Sequence, residues 1–328
     1  MKIARILFSV FAGAALTAQT ATLVSAQDYP TKPITLVVPF TPAGSVDTVG
    51  RLVGQKLSER LGKPVIIENR PGAGSATGTI QVAKSAPDGY TLLLAPSGTY
   101  SINPTLYKQL SYDPLKDLTP VALLTHDPLL LVVNTSLPVH SVADLIKLAK
   151  EKPGQLSYAS PGAGTSLHLF GELLKATAGI QMVHVPYRGG APAMQDLIAG
   201  QVQLMFSDPA SAVPQAIAGK VRALGVSSST RLPVAPDIPT FAEAGLPAFQ
   251  AVSWQVISAP IGTPKPIIDR LNGELRAALS LPDVQKALIA RGQVPIMTPP
   301  PAEVAAFMKG ESERWAKIVR QAGLAGSL

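Results

Sequence analysis

The stretch SPGAGTSLHLF, residues 160–170, decides how this chain reads. It begins where a short strand-like run, Leu156 to Ala159, stops, and it passes through two glycines into an apolar helix-like run from Ser166 to Ala178. A strand, a glycine turn and a helix in that order open a βαβ unit. The same kind of turn occurs twice more, as RPGAGSATG at 70–78 and, more loosely, as TPAGSVDTV at 41–49.

Working outward, Ile34 to Val38 reads as a strand. Val46, Val49, Val53, Leu57 and Leu61 fall on one face of a helix that follows it. Val65 to Ile67 and Thr91 to Leu94 read as further strands, with a helix between them from Gly74 to about Lys84. The middle repeats the theme. Leu129 to Val133 is a strand, and Ser141 is the cap of a helix that stops at Pro153-Gly154. Met182 to Val185, Val202 to Phe206 and Ala223 to Val226 are strand candidates with helices between them. From Pro264 onward the chain is helical, at about 264–280, 281–291 and 301–321. Strands alternating with helices of this length predict α/β architecture with parallel sheets. Two such blocks lie in series, followed by a helical tail without a sheet of its own. That predicts two lobes, with crossings near Thr125–Leu129 and Gln250–Ala259.

The composition agrees. Of 328 residues 46% are hydrophobic and 15% charged, enough to bury a large core and unlike a disordered chain. The net charge of +7 includes Lys2 and Arg5, which precede an apolar run from Ile6 to about Thr17 and the small residues Val24-Ser25-Ala26. This is the pattern of a cleavable signal peptide over residues 1–26, too short in its apolar part to span a membrane. A mature chain starting at Gln27 then carries +5. Its charges form no basic stripe interleaved with aromatics, so nucleic acid is not an expected partner. With no cysteine there is neither a disulfide nor a Cys lipid anchor, and a free, soluble monomer outside the cytoplasm is expected.

A helix start offers unpaired N–H groups and a partial positive charge, and in open α/β sheets ligands sit at the carboxyl ends of the strands. Turns 41–47 and 160–166 therefore read as anion sites, with Thr41, Ser45, Ser160, Thr165 and Ser166 adding hydroxyls. The turn at 70–78 reads as a helix entry shaped by backbone need. None of the three has dinucleotide spacing, and no Gly-Lys-Ser/Thr phosphate loop exists. The four histidines, 126, 140, 168 and 184, show no metal spacing, so neither metal nor cofactor is expected. Asp47 suits the dipole of its helix. Asp208, at the end of a strand-like run in FSDPA, is placed for a ligand contact or a bond at a hinge.

The segments ITLVVPFTPAGSVDTVGRLV, VIIENRPGAGSATG, PDGYTLLLAPSGTYSINPTLY, LSYASPGAGTSLHLFGELL, HVPYRGGAPAMQDLIAGQVQLMFSD and APIGTPKPIIDRLN follow one another in this order. Together they resemble the Bug receptors, the TctC-like extracytoplasmic solute-binding proteins of tripartite tricarboxylate transporters. The resemblance implies a type II periplasmic-binding-protein fold. Residues 27–127 and 252–328 would form one doubly wound lobe and 128–251 the other, about a hinged cleft. It implies a periplasmic protein that is not an enzyme and that hands its ligand to membrane transporter subunits or a sensor domain. The ligand would be a small organic acid: a di- or tricarboxylate, an acidic amino acid or an aromatic carboxylate. Two loops would clamp one carboxylate, Phe40, Thr41, Ala43, Gly44 and Asp47 from one lobe and Ser160, Gly162, Gly164, Thr165 and Ser166 from the other. Tyr100, Tyr187, Asp208 and Trp254 are the candidates for reading the rest of the ligand. Ala43 departs from the family, which usually has glycine there. The competing reading is an exported serine hydrolase using Ser160 or Ser166 with His168, but the chain has no Gly-x-Ser-x-Gly elbow.

Overall fold

The computed structural model describes residues 29–328, so the signal peptide expected over 1–26 lies outside the described residues. Two mixed sheets divide the strands. The first contains β1 (Ile34–Val38), β2 (Val65–Asn69), β3 (Thr91–Pro96), β4 (Leu118–Asp127), β10 (Ser253–Pro260) and β11 (Val294–Pro295), in the order β11-β4-β10-β3-β1-β2. The second contains β5 (Leu130–Asn134), β6 (Ser157–Ser160), β7 (Val183–Pro186), β8 (Leu204–Ser207) and β9 (Val221–Val226), in the order β7-β6-β8-β5-β9.

The parallel sheets expected from the sequence form only in part. β1 pairs in parallel with β2 and β3, and β6 with β7 and β8. β10 runs antiparallel between β3 and β4, and β5 runs antiparallel between β8 and β9. The reason is connectivity. Both antiparallel strands are those by which the chain enters one sheet from the other: β5 follows β4 of the first sheet, and β10 follows β9 of the second.

Each parallel strand feeds a helix. α1 (Ser45–Leu61) follows β1 and buries Val46, Val49, Val53, Leu57 and Leu61, the face its spacing predicted. α5 (Ser166–Ala178) follows β6 with the bounds expected from the sequence. Ser141 caps the helix at Val142–Glu151 by accepting from the Asp144 N–H at 3.0 Å.

The helical tail does not keep to one sheet. α10 (Pro301–Gln321) begins in the core of the first sheet, where Val304 and Met308 pack with Trp254 and Val256. Two turns later Trp315, Ile318 and Val319 join the core beneath the second sheet. The Trp315 ring stacks on Phe170 of α5 at 5.6 Å between centroids. Glu311 Oε2 lies between, accepting from Trp254 Nε1 at 3.3 Å and from Trp315 Nε1 at 3.2 Å. The last turns of the tail therefore belong to the packing of the second sheet, unlike the expectation that placed all of 252–328 with the first.

Truncating the fully buried Trp315 removes this bridge. Trp315→Ala is expected to destabilise the protein by about 3–5 kcal/mol, measured as a lowered urea midpoint. A loss below about 1 kcal/mol would show that the tail contributes little to holding the second core.

Candidate functional site

A cavity of about 280 Å³ opens where the carboxyl ends of β1 and β6 face each other across the gap between the sheets. Two helices begin at its wall. At α1, Gly44, Ser45 and Val46 line it, and at α5, Ser166 and Leu167 do. Among the described residues, none of these five N–H groups has an acceptor within the protein. Helix starts leave such donors orphaned, and buried ones need a partner. The arrangement suits an anion held between two positive helix ends.

The flanking donors are consumed, which concentrates the open ones. Gly162 N–H donates to Ser160 Oγ at 3.2 Å, and Gly164 N–H to His168 Nδ1 at 3.1 Å. Thr165 caps α5: its Oγ1 accepts from His168 N–H at 3.3 Å and donates to the Gly162 carbonyl at 2.8 Å. Gly164 has φ +80°, and a Cβ there would stand 2.4 Å from Leu106 Cδ2. Only glycine allows that approach. Ser166 Oγ reaches Ser97 Oγ at 3.1 Å, and Ser97 Oγ lies 3.0 Å from Ser253 Oγ, so hydroxyls form a chain from α5 to the first sheet.

Of the residues singled out in the sequence, Phe40, Thr41, Gly44, Gly164, Thr165, Ser166 and Asp208 line the cavity. The others are placed elsewhere. The Ala43 N–H, expected in the clamp, donates instead to Asp47 Oδ2 at 2.9 Å, and Ala43 takes the left-handed φ of 67° that makes this contact. Asp47 turns inward as a brace, bound also by Arg51 Nε at 2.9 Å and Asn69 Nδ2 at 2.9 Å. Burial would raise its carboxyl, but the bonds from Arg51, Ala43 and Asn69 hold it below the usual carboxylate range. Ser160 is fully buried, its hydroxyl 2.6 Å from His184 Nε2. The Gly162 carbonyl and N–H are both spent on Ser160 and Thr165.

The expected aromatic readers are corrected too. Tyr100 and Trp254 stack on one another at 5.7 Å inside the core of the first sheet, the phenol donating to Ser258 Oγ at 3.1 Å. They fill the layer between β3, β10 and α10. Tyr187 donates to Asp196 Oδ2 at 2.8 Å on the flank of the second sheet. The Ser–His pairing of a hydrolase fails on geometry. Ser166 faces Ser97, and His168 Nδ1 is occupied by Gly164. The Ser160–His184 pair is buried, with the His184 ring stacked 3.8 Å from His168. Burial lowers both histidines to about 4, with Lys175 adding to the effect on His168 and His168 to that on His184.

Sequence reasoning missed the polar wall contributed by distant elements: Asn103, Asp127, Ser253 and Gln255. Asp127 ends β4, whose Thr-Pro start and Thr-His-Asp finish obscure the strand pattern. Its carboxylate accepts from Gln255 Nε2 at 2.6 Å and Gln293 Nε2 at 3.2 Å. Burial raises Asp127 to about 6, with the nearby Asp208 charge adding to it, and burial raises Asp208 as well. The third glycine turn also reaches the cavity, through Gly74.

Two α/β sheets with helix starts converging on a shared, water-sized-to-metabolite cavity define a solute-binding protein. The family model of the tripartite tricarboxylate transporter family receptor matches residues 49–324, and the chain belongs to that family. It is 38% identical to protein BugT of Bordetella pertussis over 94% of this chain and 94% of that one. A solved R. palustris protein with adipate superposes with a TM-score of 0.83 at 38% identity, covering 91% of this chain and 99% of the other. MatC from Rhodopseudomonas palustris with bound malate gives a TM-score of 0.79 at 37% identity, with 89% and 100% covered. The matched family is one of transporter receptors, not of enzymes, and a further solved neighbour is the periplasmic binding protein BugD.

Asp127 prefers its protonated form in the fold. That contribution is fully present below its ordinary value of 3.8 and is lost as pH rises through about 6. Asp127→Asn, neutral throughout, should therefore exceed the parent in stability above pH 6 by up to about 3 kcal/mol in the ligand-free protein. The difference should shrink toward zero below about pH 4, where both side chains are uncharged. Urea midpoints at pH 8 and pH 4 measure it, and an equal difference at both values would refute the assignment.

Proposed function

We propose that this protein is a periplasmic receptor that captures a small organic carboxylate between its two sheets and presents it to a tripartite tricarboxylate-type membrane transporter. One observation carries the reading: α1 and α5, one from each sheet, aim unpaired N–H groups at the same cavity. A carboxylate has two oxygens with about four lone-pair sites, enough to engage both helix starts at once. The relatives solved with adipate and malate support this class of ligand.

The clamp consists of the N–H groups of Gly44 to Val46 and of Ser166 and Leu167, with the hydroxyls of Thr41 and Ser166. Thr165 shapes the loop, and Asp208 reads the remainder of the ligand. Residues 27–127 with the greater part of 252–328 form one lobe and 128–251 the other. The chain crosses between them at 127–130 and 251–253, and the strand membership of the two sheets supports this division. Export through the leader over 1–26 delivers the chain to the periplasm as a monomer. No helix of the described residues is long and apolar enough to cross a membrane.

Thermal shift with mono-, di- and tricarboxylates of three to six carbons tests this directly, since a ligand that binds only the folded state raises its stability. At least one acid should raise the melting temperature. In calorimetry Ser166→Val should weaken that acid by about tenfold to a hundredfold, the value of a hydrogen bond to a charged group. Thr165→Val should act mainly on stability, by about 1 kcal/mol, through the lost cap. A panel without any binder would overturn the reading.

A further inference from the structure

The cavity is not built for anions alone. Beside the helix starts its wall carries Asp127 from β4 and Asp208 after β8, one from each sheet, together with Gln255 of β10. The Asp208 carboxylate has no side-chain donor among the described residues and is met only by its own backbone N–H. Gln255 is fully buried, and its Oε1 has no donor partner. Asp127 holds two amide donors and keeps lone pairs to spare. Two carboxylates and one unpaired amide oxygen thus line the same space.

A simple dicarboxylate would bring more negative charge and more acceptors to this wall and would leave the Gln255 oxygen unmet. A metal ion is not the answer: among the described residues no group of three His, Cys, Asp or Glu side chains could hold one. An ammonium group brings three donors and a positive charge, one donor for each acceptor. The distance between the two kinds of site is short. Gln293 Nε2 lies 3.3 Å from Ser45 Oγ at the start of α1 and 3.2 Å from Asp127 Oδ1, so one amide separates the anion clamp from the acidic wall. A ligand that meets both must carry its opposite charges only a few bonds apart.

We propose that Asp127, Asp208 and Gln255 form an ammonium subsite, and that the ligand is an α-amino acid whose carboxylate takes the helix starts while its ammonium group takes these acceptors. The inference rests on the carboxylate reading of the same cavity. Burial raises the proton affinity of both carboxylates, and the Asp208 charge adds to that of Asp127; an entering ammonium favours their charged forms.

Isosteric pairs that differ only in ammonium against hydroxyl provide the test: aspartate with malate, glutamate with 2-hydroxyglutarate, and alanine with lactate, titrated by calorimetry into the exported chain at pH 7.5. In at least one pair the amino acid should bind tenfold or more tightly than its hydroxy acid. Asp208→Asn should abolish that preference, weakening the amino acid at least tenfold more than its hydroxy acid. Asp127→Asn is the second variant should the first fail to fold, as judged by circular dichroism. Hydroxy acids binding as well as or better than amino acids in every pair would overturn the subsite and leave the receptor reading standing. A preference that survives in both variants would overturn its assignment to these acids. If no member of any pair binds, and no di- or tricarboxylate does, the carboxylate reading falls and the subsite with it.

Discussion

The opening N–H groups of α1 and α5 have no acceptor within the protein, and the rest of the cleft is arranged around keeping them so. Parallel pairing of β1 with β3 and of β6 with β8 makes each sheet end its strands at the same edge, so both helices start there. The neighbouring donors are then removed from competition. Asp47 takes the Ala43 N–H, Ser160 takes that of Gly162, His168 takes that of Gly164, and Thr165 takes that of His168. What is left is a small set of donors with fixed direction. A pre-organised set of this kind binds without the ordering cost that a flexible loop would incur.

That economy of donors explains which part of the site was legible in the sequence. The glycine turns and the helices they open are local, and α5 was expected with its observed bounds. Gly44, Thr165 and Ser166 followed from their position in those turns. Ala43 and Ser160 were misread because a donor's availability depends on what its neighbours accept. The Asp47 that occupies Ala43 is only four residues on, but the His184 that occupies Ser160 comes from the adjacent strand. The acidic wall was less legible still. Asp208 was placed from the local pattern after β8. Asp127 and Gln255 meet only because β10 inserts between β3 and β4, a pairing of residues 128 positions apart with no periodic trace. Tyr100 and Trp254 were expected at the ligand because both sit near strand ends. The long strand β10, buried along its whole length, takes them into the core.

The tail is the other long-range feature. Its hydrophobic spacing showed a helix, and nothing in that spacing says that successive turns serve different cores. Glu311 resolves the point physically. Its carboxylate accepts from both tryptophans, one from each side of the division, and Arg314 bonds its other oxygen at 3.1 Å, so the charge at this junction is paired. The same helix that closes the first sheet's core thereby fixes the position of the second.

Charge, finally, acts at two ranges. A chain with a surplus of basic residues attracts anions from solution whatever their structure. Inside the cavity that surplus has no say, because the local field has both signs: positive at two helix starts, negative at Asp127 and Asp208, with His168 and His184 held neutral behind the loop. A field that changes sign within one amide's reach discriminates by the arrangement of charge on the ligand and not by its total. Steering and selection are therefore separate properties of this molecule. The first belongs to surface lysines and arginines, which can be exchanged singly at little cost. The second belongs to a few groups lining the cavity, whose placement depends on both sheets being assembled.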